Sequence, residues 1–216
     1  MAQFEGEALG HWLAARCGCL TASRMADVLA VSKAKGKEGT PLKARFDYMR
    51  EILAERMTGE SVMHYVNDAM QYGSDNETAA IAAWEAQTGE FVKPASFYRH
   101  PRIEFFGATP DGLIGDDGLI EAKVPTSSTF VGWRMAGVVP EEHHAQMLAQ
   151  LACTGRKWVQ FVAFEPRAHN PRLRLFVKRF EPELAAIQAV EAEAERFLKE
   201  VDLQWELLTA GADESH

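Results

Sequence analysis

Cysteine is scarce: Cys17, Cys19 and Cys153 are the only three in 216 residues. An odd number with no C-x-x-C spacing supports neither a disulfide framework nor a zinc knuckle, so reduced packing residues are expected. Long apolar runs are missing too. No stretch approaches the roughly 20 apolar residues of a membrane span, and no basic-then-apolar leader opens the chain. A soluble, intracellular protein is expected. Positive charge is also in deficit, with 23 Lys and Arg against 31 Asp and Glu, a formal net charge of -8. Such a balance argues against a nucleic-acid partner unless the basic residues are clustered. They are: Lys33, Lys35, Lys37, Lys43 and Arg45 crowd one stretch, while Glu181, Glu183, Glu191, Glu193 and Glu195 load the end of the chain. A basic channel with an acidic exterior would satisfy both facts, because the local field steers a charged substrate. Repeats and low-complexity segments are absent, and 47% hydrophobic residues are enough for one well-filled core, so residues 1–216 read as a single domain.

What is present centres on residues 105–123. Phe105-Phe106-Gly107-Ala108, Leu113-Ile114 and Leu119-Ile120 are short apolar runs, and Gly115-Asp116-Asp117-Gly118 between the last two signals a hairpin. On a strand, Glu121 and Lys123 share a face and Ala122 points away. A two-residue loop at Asp116-Asp117 would set Asp111 opposite Ala122, on the wrong face. A three-residue loop, Asp116-Asp117-Gly118, sets it opposite Lys123, with Gly118 taking the left-handed position. Convergence of Asp111, Glu121 and Lys123 is therefore expected. Two carboxylates are what Mg2+ takes from a protein while keeping waters for phosphate oxygens, and a lysine beside it can orient or deprotonate an attacking water. Pro110-Asp111-Gly112 is also an ordinary turn signature.

Helical spacing predicts helices over residues 5–15, from Ser23 to Ala30, and from Pro41 to about Met57 with Phe46, Met49, Ile52 and Leu53 buried. Val31–Thr40 reads as a mobile basic loop, either a solvated linker or a phosphate-tracking segment. Arg16 and Ser23 are suited to grip a phosphate through a charge-assisted fork and helix N-terminal amides; alternatively Ser23 caps its helix. Gly73–Thr88 forms the next helix, where Ser74-x-x-Glu77 is a capping box, yet Glu77, Ile81, Trp84 and Thr88 lie on one inward stripe. Helices are further expected over Ser127–Gly137 and Pro140–Cys153. The second carries a polar stripe of His143, Gln146 and Gln150, solvated or functional. Strands over Lys157–Phe164 and Leu173–Val177 and a helix over 181–208, with Ile187, Val190, Ala194, Phe197, Leu198 and Val201 buried, complete the chain.

The hairpin resembles the PD-(D/E)xK nuclease signature, here Pro110-Asp111, nine residues, then Glu121-Ala122-Lys123. In order around it stand Arg16-Cys17-Gly18-Cys19-Leu20-Thr21-Ala22-Ser23, Tyr72-Gly73 with Glu77, Ala145-Gln146, and Thr154-Gly155-Arg156-Lys157. Together, from about Arg16 to about Phe180, these are similar to the phage lambda exonuclease family, also called YqaJ-type viral recombinases. The resemblance implies a restriction-endonuclease-like α/β domain, a mixed sheet flanked by helices. It implies Mg2+-dependent digestion of linear duplex DNA from the 5' end to mononucleotides, leaving a 3' single strand, with Mn2+ as a substitute ion. Asp111, Glu121 and the Ala122 carbonyl would hold the metal, Lys123 would activate water, and Glu77 and Gln146 would stand beside them. Arg16, Ser23 and Thr109 would read the 5'-phosphate. Met70 falls where the family carries an apolar residue that helps part the strands, and is otherwise a core methionine. Implied partners are a single-strand annealing protein and two further copies in a ring-shaped homotrimer, inside a bacterial cell hosting a phage or prophage. The rival readings are a structure- or sequence-specific endonuclease of the same fold and a non-catalytic DNA-binding recombination protein.

Overall fold

Residues Gly118–Lys123 form a strand whose alternation decides the layering of the molecule. Leu119 points to one side, where it packs with Phe130, Met147, Leu151, Val159 and Phe161, while Ile120 and Ala122 point to the other, toward Ala80 and Trp84. Both faces of the sheet are therefore apolar, and both are covered. The computed structural model describes the backbone of residues 6–61 and 68–213 and the side chains of residues 7–61 and 76–210.

In chain order the elements are α1 (Gly6–Arg16), β1 (Leu20–Thr21), α2 (Met25–Leu29), α3 (Lys43–Thr58), α4 (Asp68–Thr88), β2 (Val92–Lys93), β3 (Tyr98–Arg99), β4 (Phe106–Ala108), β5 (Gly112–Ile114), β6 (Gly118–Lys123), α5 (Ser127–Ala136), α6 (His144–Thr154), β7 (Trp158–Phe164), β8 (Leu175–Phe180) and α7 (Leu184–Asp213). Where a single mixed sheet was expected there are two. A three-stranded sheet runs β1-β4-β3 and a five-stranded one runs β2-β5-β6-β7-β8. In the larger sheet only β6 and β7 are parallel, since α5 and α6 between them provide the long crossover that parallel pairing requires. Helix α4 covers one face and α5 with α6 the other. Helix α6 also packs on α2, α7 and the small sheet, so it joins two cores, with Ala149, Ala152 and Cys153 in one and the fully buried Met147 and Leu151 in the other. Each such side chain stabilises by about 1.5–3 kcal/mol.

The β5–β6 hairpin is three-residue, as expected, but its register differs by two. Ile114 pairs with Gly118 and Gly112 with Ile120, so the loop is 115–117 and one step further sets Asp111 against Glu121 rather than Lys123. Gly115 takes the left-handed conformation, at φ 50°, and Gly118 is needed for space instead: a Cβ there would lie 2.3 Å from the Trp158 ring. Because the shift is even, the predicted face is unchanged. Arg156 secures the loop, its Nη1 donating to the carbonyls of Ile114, Gly115 and Gly118.

Several other expectations are corrected. Helix α4 is already helical at Asp68, which places Gly73–Glu77 inside it and rules out a capping box at its start. Phe46 is 48% exposed, its place in the α3 core taken by Tyr48. Arg45 is buried and spent on structure, donating to Val28 O, Glu193 and Glu200, so it belongs to no basic channel. Lys43 pairs with Asp47. The segment 31–41 is tied rather than mobile, with a bridge between Val31 and Pro41 and backbone bonds joining Ser32 to Thr40 and Gly39. Strand β8 begins at Leu175, after a 3-10 turn at Pro171–Leu173. The predicted C-terminal stripe holds: Val190, Ala194, Phe197, Leu198 and Val201 are buried and Ile187 is partly so. Among the described residues no helix is long and apolar enough to cross a membrane.

Candidate active site

At the C-terminal end of β6 the sheet opens to partial exposure, and the charged side chains gather there. Glu121 is fully buried, on the face covered by α6. Its Oε1 accepts from Lys123 Nζ and from Gln146 Nε2 (2.7 Å), and its Oε2 accepts from Gln150 Nε2 (2.6 Å). A buried carboxylate needs such partners, since an unpaired one would be too costly to keep charged. Asp111 reaches the same edge from β5: its Oδ2 accepts the Ala122 amide hydrogen at 2.7 Å. In a strand the N–H and C=O of one residue point to the same side, so the Ala122 carbonyl faces the Asp111 side while its methyl is buried against α4.

Glu77 joins this group through its field. Burial raises its pKa, Lys123 opposes the rise and Glu121 adds to it. Asp111 is held well above the ordinary carboxylate range, chiefly by burial, then by Glu121, and in smaller part by Glu77. Burial works against the Lys123 ammonium, but Glu121 and Asp111 outweigh it and hold its pKa above the usual lysine value. Among the described residues, Lys123 is the cation that acts on both Asp111 and Glu77. The raised proton affinity of Asp111 comes first from burial and then from the charge of Glu121, and a divalent cation would answer that charge. Among the described residues no group of three or more His, Cys, Asp and Glu forms a metal cage, and a pair of carboxylates beside a carbonyl suits Mg2+, which retains several waters. Two polar atoms at α6, His143 Nε2 and Gln150 Oε1, are buried without partners among the described residues. Leaving a carbonyl unpaired costs about 1–3 kcal/mol. His143 lies over Phe161 and edge-on to Trp133, and burial, then Lys123, lowers its pKa.

The expected phosphate-reading residues assemble in part. Arg16, at the end of α1, lies over the Trp12 ring at 4.4 Å, and Trp12 Nε1 donates to Thr109 Oγ1 at 2.9 Å. One indole therefore connects Arg16 to the residue two before Asp111. Ser23 is exposed within a 3-10 turn, Ala22–Arg24, and caps neither that turn nor α2; its Oγ is 3.4 Å from Thr21 Oγ1. Arg16, Thr21 and Arg24 share a small cleft with Tyr48. Lys33, Lys35 and Lys37 stand exposed on the tied loop. Met70 falls in α4, but its side chain lies outside the described residues.

Sequence reasoning undervalued two residues. Gln150 belongs to a stripe that could have been solvated, yet it is fully buried on Glu121; the signal was an amide four residues after Gln146 on an otherwise apolar helix. Trp12 carries no signal beyond its place in the helix predicted over residues 5–15. The Arg156-Lys157 pair turns out to be structural, as Lys157 binds Asp117 through both its backbone and its side chain.

Residues 11–157 match the model of the YqaJ-like viral recombinase domain. No curated protein matches the chain. Among solved structures it is similar to LHK-Exo, an alkaline exonuclease from Laribacter hongkongensis, at 38% identity over 96% of this chain and 100% of that one, with a TM-score of 0.85. Against LHK-Exo in complex with dAMP the TM-score is 0.86. A phage related exonuclease from Haemophilus somnus 129PT shares the fold at 15% identity, covering 88% of this chain and 96% of that one, with a TM-score of 0.64. With more than half its length in the domain match and such a relative along nearly all of it, the chain belongs to the YqaJ-like viral recombinase family.

Proposed function

We propose that the protein is a Mg2+-dependent exonuclease that degrades linear duplex DNA from a 5'-phosphorylated end, releasing mononucleotides and leaving a 3' single strand. The observation that carries this reading is the convergence of Asp111, Glu121 and Lys123 on one sheet edge, supported by Gln146 from α6. Similarity to an alkaline exonuclease, solved with the mononucleotide dAMP, supports exonuclease activity and is consistent with a mononucleotide product.

In this reading Asp111, Glu121 and the Ala122 carbonyl hold the ion, with Glu77 beside them, and Mn2+ can take its place. Lewis-acid stabilisation of charge on the phosphate is what the bound ion supplies. Lys123, charged and fixed against Glu121, donates to the attacking water or the phosphate and orients it. Gln146 keeps the Glu121 carboxylate turned toward the same edge. Arg16, Ser23 and Thr109 receive the terminal 5'-phosphate, for which a guanidinium and hydroxyls are suitable donors. The exposed Lys33, Lys35 and Lys37 track the backbone electrostatically, and Met70 meets the DNA ahead of the cut. The family relationship further supports a PD-(D/E)xK nuclease acting as a ring-shaped homotrimer with a single-strand annealing protein, in the cytoplasm of a bacterial cell hosting a phage or prophage.

The test is nucleotide release with Mg2+ from linear 5'-phosphorylated duplex, beside a covalently closed circle. The expected outcome is release from the linear DNA alone, reduced about 10²–10⁴-fold by Lys123→Ala. Cutting of the circle would instead indicate an endonuclease, and no metal-dependent cutting of either would indicate a binding protein.

A further inference from the structure

We infer that Gln150 is a positioning residue for Glu121, setting the direction in which that carboxylate presents its remaining lone pair to a metal ion; the inference rests on the metal-dependent reading above. A carboxylate has about four lone-pair sites, two on each oxygen. On Glu121, Oε1 already accepts from both Lys123 and Gln146, whereas Oε2 accepts only from Gln150, at 2.6 Å. The site left over is therefore on Oε2, and Gln150 fixes where it points.

Three further observations show that Gln150 is held for this task. It is fully buried, so no solvent competes for Oε2. Its amide orientation is forced, because the opposite orientation would set its carbonyl oxygen against the carboxylate. The carbonyl instead has no hydrogen-bond partner among the described residues, an arrangement that an apolar side chain would avoid and that packing alone does not explain. Gln146 and Gln150 are four residues apart on α6, so their amides rise about 6 Å along one helix face. That face cannot shift, since Met147 and Leu151 are locked into the core beside it. Together the two amides grip the two oxygens of one carboxylate from a rigid element.

Residues that orient a metal ligand typically alter metal affinity or activity by about 10–100-fold when removed. The experiment is Mn2+ binding to the DNA-free protein by calorimetry, with kcat and KM on linear duplex, for wild type, Glu121→Gln, Gln150→Met and Gln150→Asn. Methionine keeps the volume without a donor; asparagine keeps the donor on a shorter arm. Both Gln150 variants are expected to weaken Mn2+ binding and lower kcat by about 10–100-fold, with KM for DNA unchanged. If one variant fails to fold, the other carries the comparison. A variant that melts earlier but binds Mn2+ like wild type would overturn the inference and leave the metal reading intact. A wild type that binds no Mn2+, indistinguishable from Glu121→Gln, would overturn both.

Discussion

At the scale of single residues, the site is a set of charges that cannot all be comfortable without help. Glu121 raises the cost of charge on both Asp111 and Glu77, Glu77 adds to it on Asp111, and Lys123 opposes both effects. The end-reading group is organised differently, by contact rather than field: Trp12 stacks under Arg16 and bonds Thr109. Removing Arg16 should therefore affect recognition of the DNA end more than cutting. Arg16→Ala is expected to reduce the preference for 5'-phosphate over 5'-hydroxyl ends by about 10-fold or more, the worth of one charge-assisted hydrogen bond. Trp12→Phe, which keeps a ring under Arg16 but loses the bond to Thr109, should produce a smaller loss. Initial rates on the two kinds of end measure both effects. The identities of Asp111, Glu121 and Lys123 were legible in the sequence because strand alternation admits few arrangements. Gln150 and Trp12 were not, since burial of an amide or bonding of an indole depends on which distant element arrives beside it.

At the scale of elements, the lesson of the hairpin is that parity is more robust than register. Gly118 was expected in the left-handed position; Gly115 takes it instead, and Gly118 is kept small by Trp158, some 40 residues away, whose ring excludes a Cβ there. A shift of two leaves every side chain on its face, so the site survived the error. The boundary of α4 was missed for a related reason: Gly73 and Ser74 are local start signals, but they lie within a helix whose later turns pack on β6 and β7. Another element, the turn after β7, carries a pH dependence. Glu165 is buried and accepts from Arg167 Nε, Nη2 and backbone N, and Arg167 also reaches Ser127 at the start of α5. The Arg167 side-chain bonds, opposed by burial, bring the Glu165 pKa down from 4.5 to about 2. A depressed carboxylate stabilises the fold above its unfolded pKa and loses that contribution as pH falls through the folded one. Stability from this turn should thus be complete above about pH 4.5 and gone near pH 2. Because Arg167 is 60% exposed, the amount is about 1 kcal/mol. Urea melts of wild type and Glu165→Gln should differ at pH 6 and converge near pH 2.

At the scale of the whole molecule, α6 joins two cores, and one buried cation ties together the helices of the first. Arg45 ties α3 to α2 through Val28 O and to α7 through Glu193 and Glu200, with its guanidinium 5.0 Å from the Phe197 ring. Arg45→Met keeps much of the packing but leaves two carboxylates without their shared partner. The expected cost is roughly 3 kcal/mol, or about 10 °C in melting temperature for a chain of this length, read by thermal denaturation. The sequence made this arginine look like part of a DNA channel because charge in sequence carries no information about depth. The acidic load of α7 is likewise partly internal, since Glu191 binds His100 and Glu193 binds Arg45. In the proposed reading the exposed Lys33, Lys35 and Lys37 are among the cations left to meet DNA, and the overall negative charge is less of an obstacle than the composition suggests.

The bond from Trp12 to Thr109 has a consequence for step size. Thr109 precedes Asp111 by two residues, so the residue proposed to receive the terminus and one proposed to hold the metal are at most about 7 Å apart along the backbone. In the proposed exonuclease that short covalent link would act as a ruler. The enzyme would measure from the end it has just created, and each cut would be the same length as the last without any part of the protein needing to count.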